Sequence, residues 1–102
     1  MADEEHVYGE VDNVDDLRRI FAAIRRDVTQ ATTREELTRL YRRAEYLITL
    51  TFSPAWQKKF GPQVEELRRV AEAEFTATAR AINQRAAAIG TAPDYDETWG
   101  RG

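Results

Sequence analysis

One histidine, His6, no cysteine and five scattered glycines are what this chain offers the commonest kinds of protein chemistry. Without cysteine there are no disulfides, thiolate zinc sites, iron–sulfur clusters or cysteine nucleophiles. His6 stands in the acidic opening MADEEH, where a solvated side chain is the plain expectation. A carboxylate-bridged di-iron bundle needs Glu-x-x-His pairs on facing helices, and the chain has none. Gly9, Gly61, Gly90, Gly100 and Gly102 are isolated, so no glycine-rich loop cradles a phosphate. Glu72 and Glu74, two apart, diverge around a helix rather than converging on one substrate. Glu35, Glu36, Glu65 and Glu66 stand where first-turn helix charges belong. No catalytic, cofactor-binding or metal-ligating set is assigned, and the chain is expected not to be an enzyme.

Residues suited to recognition are better represented. Arginine doublets Arg18–Arg19 and Arg25–Arg26 recur at seven residues, so each pair stacks along a helix. With Arg42 and Arg43 they form a candidate basic face, which Lys58, Lys59, Arg68 and Arg69 could extend. Such a face would neutralise phosphates and give salt-sensitive binding, and Trp56 beside the two lysines would add a stacking platform. Acids such as Asp27, Glu45, Glu65 and Glu66 interleave with these cations, as on an ordinary solvated helix. No helix-turn-helix spacing stands out, and the acidic opening competes for the same cations. A nucleic-acid-associated protein, its basic body masked by acidic arms, is therefore the alternative reading and not the leading one.

The stretch TFSPAWQKKFGPQ, residues 51–63, places Trp56 and Phe60 four apart on one helical face between Ser-Pro and Gly-Pro. Two large rings so bracketed suit a packed corner, with Lys58 and Lys59 left in water. The corner is preferred to a binding groove; Trp56, Lys58, Lys59 and Phe60 nevertheless remain candidate partner-binding residues. Tyr95 and Trp99 join them from the tail TAPDYDETWGRG, where Asp94 and Glu97 could cap one further turn and set the two rings on one side. An acidic, aromatic peptide beside a basic body favours docking, in cis or onto a second copy.

Charge is distributed unevenly along the chain. Residues 1–16 carry seven acids and no lysine or arginine, residues 17–89 fourteen basic and eight acidic side chains, and the last thirteen residues three acids and one arginine. The net charge of −3 therefore conceals a basic body between acidic ends, which bears on partners rather than on fold. At 102 residues, with 42% hydrophobic and 32% charged side chains, one small soluble helical domain is expected. The acidic opening is no signal peptide, and the most apolar run, YLITLTF, is far too short to span a bilayer. A cytoplasmic protein without membrane contact is the expectation.

The helices that must hold these residues are announced by local signals. Asp12 or Asn13 caps a first helix, whose Leu17, Ile20, Phe21, Ile24 and Val28 make one apolar face. Thr33-Arg34-Glu35-Glu36 is a capping box for a second, carried on by Leu37, Leu40, Tyr41, Ala44, Leu47 and Ile48. YLITLTF would suit a strand if read alone, but three preceding turns of helical pattern favour continued helix. Ser53-Pro54 starts a short helix, and Gly61-Pro62 ends it. Val64, Leu67, Ala71, Phe75, Thr78, Ile82, Ala86 and Ile89 then step by threes and fours along the longest helix, which closes at Gly90. Positions 62–89 would span about 42 Å against about 30 Å for the second helix.

The predicted architecture is all-α: a three-helix up-down bundle with a short extra helix at residues 53–60. Residues 1–12 are read as an acidic flexible arm, 13–90 as the bundle and 91–102 as an acidic-aromatic tail. The long helix should overhang the other two, so its Phe75–Ile89 face is expected to pair, coiled-coil-like, in a homodimer. The leading functional expectation is a small non-catalytic interaction or regulatory module acting through protein–protein contacts. A minor non-catalytic subunit of a larger enzyme is the third reading.

Overall fold

The computed structural model describes residues 10–91. The expectations for His6, Tyr95, Trp99 and most of the two arms lie outside the described residues. Those described form α1 (Val14–Val28), α2 (Arg34–Leu50), the short α3 (Pro54–Phe60), a 3-10 turn over Gly61–Gln63, and α4 (Val64–Ile89).

Each boundary follows from local chemistry. Asn13, not Asp12, caps α1: its side-chain oxygen accepts the Asp16 amide at 2.8 Å. Asp12 instead donates its own amide to the Asp16 carboxylate at 2.9 Å. The capping box of α2 is complete, with the Glu36 amide donating to the Thr33 hydroxyl at 3.1 Å and the Thr33 amide to the Glu36 carboxylate at 3.2 Å. YLITLTF is helical as far as Leu50 and turns over Thr51–Phe52. Ser53 Oγ accepts the Trp56 amide at 3.1 Å, and Pro54 occupies the first turn of α3. Gly61 breaks α3 from α4 with φ 59° and ψ −137°, a region that side chains disfavour. The predicted start of the long helix at residue 62 is thus two residues early, because Pro62 lies in the 3-10 turn.

Contacts distant in sequence set the helix directions. Arg25 near the end of α1 meets Glu74 and Thr78, and Ala31 just beyond α1 meets Arg85, so α1 and α4 run the same way. Tyr41 and Phe75 approach ring to ring at 5.4 Å, while Thr51 meets Arg68, so α2 runs against α4. The helices are packed as an up-down-up bundle, with α4 against both partners and α3 across one end. The core lies in two linked clusters. One gathers Leu17, Phe21, Ile24, Leu47 and Leu67; the other gathers Val28, Leu37, Tyr41, Ile82 and Ala86. Leu40 and Phe75 touch both.

The α4 face expected to pair in a homodimer is largely occupied by its own chain. The middle of the α4 stripe is covered within one chain, Thr78 and Ile82 completely and Ala86 nearly so, while Phe75 and Ile89 at its ends are half-buried. The α1–α2 connection folds under the end of α4, where Ala31 is buried and its carbonyl accepts Arg85 Nε at 2.8 Å. Helix length overstated the overhang because a connecting loop, not only a helix, can cover apolar surface. At the opposite end the packing reaches back to Val11, inside the stretch read as an arm and 5% exposed.

Candidate functional site

The corner at residues 51–63 is built from α3 and the turns on either side. Trp56 and Phe60 stand edge to face at 5.2 Å, and both are partly buried against the first core cluster. Lys58 is exposed. Lys59 reaches the chain ahead of α1, donating to the Val11 carbonyl at 2.9 Å and pairing with Asp12 at 3.1 Å. Its ammonium also lies 5.1 Å from the centre of the Phe60 ring. Lys59 therefore ties residues 11 and 12 onto the corner.

The arginines of the candidate basic face sit in different surroundings. Arg18 pairs with Asp15 at 3.6 Å and Arg19 with Asp16 at 2.9 Å, one turn back on the same helix. Arg25 turns inward: Nη1 donates to Glu74 Oε1 at 2.8 Å and to Thr78 Oγ1 at 3.2 Å, between α1 and α4. Arg26 and Arg42 are exposed on different helices, and Arg43 is half-buried. Periodicity places a residue on a helix face, whereas the neighbouring helix decides whether that face is inside.

Two carboxylates bear clear electrostatic marks. The Arg19 guanidinium bonded to Asp16, helped by the Asp12 amide, holds the Asp16 carboxyl below its ordinary range. The Thr32 amide donating at 2.7 Å, with that of Thr33, does the same for Glu36. Both are helix-start groups. Among the described residues no cluster of His, Cys, Asp or Glu is arranged to hold a metal ion.

An open cleft of about 380 Å³ lies between the start of α1 and the α3–α4 junction, where Val14, Phe60 and Leu67 form its apolar part. Its charged rim is already paired, Asp15 with Arg18 and Glu66 with Arg69 at 2.9 Å. No family model, curated protein or solved structure matches the chain. Its surface must therefore be read from its own geometry.

That geometry draws attention to Phe52, which the sequence reading took only as the end of an apolar run. Phe52 is 53% exposed and Tyr46 40%, the large hydrophobics left in solvent among the described residues. The Arg68 guanidinium lies 4.1 Å from the centre of the Phe52 ring, and its Nη2 donates to the Thr51 carbonyl at 2.8 Å. One arginine thus closes the last turn of α2 and holds an aromatic ring at the surface. The available signal was that Phe52 follows the end of α2 and falls outside the stripe ending at Leu47 and Ile48. That its partner is Arg68 is a tertiary fact.

Among the described residues no helix is long and apolar enough to cross a membrane.

Proposed function

We propose that this chain is a small non-catalytic interaction module that acts through protein–protein contacts at the corner joining α2 to α3. The observation that carries the reading is Phe52, exposed yet held by the stacked and hydrogen-bonded Arg68. Aromatic and arginine side chains are enriched among residues that dominate binding energy, and a ring already fixed loses less entropy when a partner covers it. Trp56 and Phe60 support the corner from the core side, while Lys58 supplies an exposed charge at its rim.

Self-association belongs to the same proposal. With the middle of the α4 stripe covered inside one chain, a second copy would meet Phe52 at the corner instead.

The test compares affinity enrichment by the full chain with that by Phe52→Ala and Arg68→Ala, alongside solution mass by light scattering. Partners, or a dimer, lost in both variants at unchanged helicity would support the corner as the contact. Identical capture and mass for all three proteins would remove the corner from the reading.

A further inference from the structure

The side of α2 turned to solvent carries a ridge that lies outside both core clusters. Glu35, Arg39, Arg42, Tyr46 and Thr49 recur at steps of four and three and are all exposed. Arg34 is exposed at its start and Glu45 flanks it, so cations predominate from Arg39 to Tyr46. The other long helices present less available charge near the end where the chain leaves the bundle. On α1, Arg18 and Arg19 are already paired, and Arg26 is the remaining outward arginine. Towards the end of α4, Arg80 is the exposed one.

The chain leaves the described body beside the start of this ridge. The Thr91 amide donates back to the Ala86 carbonyl at 2.9 Å, and Arg85 is tied to Ala31, next to the first turn of α2. The eleven residues that follow include Asp94, Asp96 and Glu97, with Tyr95 and Trp99 among them and one arginine, Arg101. Extended, eleven residues reach about 36 Å. The seventeen residues of α2 span about 25 Å, so the segment can follow the whole ridge from its point of attachment.

We propose that residues 92–102 dock in cis along the Arg39–Arg42–Tyr46 ridge of α2, the chain thereby occupying its own basic helix face. Acids meet Arg39 and Arg42, and an aromatic ring packs beside Tyr46. Tethering supplies an effective concentration in the millimolar range, so contacts too weak to hold a free peptide suffice. An acidic competitor must displace the segment to reach the ridge. This inference does not depend on Phe52 being a partner site.

Because the chain has no cysteine, Gly100→Cys gives one attachment point for a nitroxide on the otherwise intact protein. The expected result is paramagnetic broadening of the amides from Arg39 to Tyr46 at low salt. It should be lost in R39E/R42E and strongly reduced near 1 M salt, where the screening length falls to about 3 Å. Broadening unchanged by R39E/R42E, or centred on α1 or α4, overturns the proposal. So does broadening confined to the first turn of α2 beside the attachment. Mixing spin-labelled protein with isotope-labelled, unlabelled-spin protein separates the remaining case: ridge broadening transmitted between molecules means docking onto a second copy and overturns the cis arrangement. Amide dispersion of R39E/R42E matching the parent checks that two exposed substitutions leave the bundle folded.

Discussion

Ile82→Ala tests whether α4 is buried by its own chain. Ile82 has no exposed surface and lies with Leu37, Tyr41 and Ala79 in the second core cluster. Truncation removes three carbons from a closed interior and leaves a hole that α1 and α2 can only partly fill. Changes of this kind lower stability by about 2–5 kcal/mol. Taking about 3 kcal/mol and a urea slope of about 1.5 kcal/mol per molar for a small domain, the midpoint should fall by roughly 2 M. The assay is urea denaturation followed by far-ultraviolet circular dichroism, at two protein concentrations a decade apart. If one chain buries the stripe, the gap between the parent and variant midpoints should not change with concentration, since a dimer formed through α4 would stabilise the parent alone as protein is added. A loss below about 1 kcal/mol, or a parent midpoint rising with concentration together with a dimeric mass lost in Ile82→Ala, would refute the packing argued here.

Three further outcomes follow from other contacts. Gly61→Ala should destabilise by about 1–3 kcal/mol in thermal melts although nothing lies within 4 Å of an added Cβ, because the strain is in a backbone at φ 59° and ψ −137°; an unchanged melt would mean the α3–α4 break relaxes freely. Glu36 is held below its ordinary 4.5, first by the Thr32 amide, so its contribution is full above that value and is lost as pH falls through the depressed folded value. Glu36→Gln should therefore flatten the acid side of a melting-temperature profile, and a variant curve parallel to the parent below pH 4.5 would contradict this. A double-mutant cycle on Arg25→Met and Glu74→Gln should give a coupling of roughly 1 kcal/mol or more, since these side chains are 30% and 22% exposed, whereas the open Arg18–Asp15 pair should give less.

Much of the fold was legible because its signals are local. Asn13, the Thr33–Glu36 box, Ser53-Pro54 and Gly61-Pro62 act on backbone groups within four residues of themselves, so their chemistry can be read without knowing what lies opposite. Apolar residues at steps of three and four likewise mark a face that must be buried. The boundary at residue 62 was the weaker case, because whether a proline opens an α-helix or sits in a 3-10 turn depends on the conformation of Gly61.

The sequence by itself determined the number of helices, their caps, their apolar faces and the punctuation around Trp56 and Phe60, since each is decided by neighbours along the chain. Only the tertiary structure decided what covers each face. Arg25 and Arg26 are adjacent in a doublet, yet Arg25 finds Glu74, forty-nine residues away, while Arg26 stays outside. Lys59 reads as a solvated charge until Val11 and Asp12 come back beside it, and Phe52 reads only as the end of an apolar run until Arg68 is seen to support it at the surface. The stripe of α4 reads as overhanging its neighbours because helix length is a local quantity. The loop that covers its far end arrives from residues more than fifty positions earlier, and no periodicity records that contact.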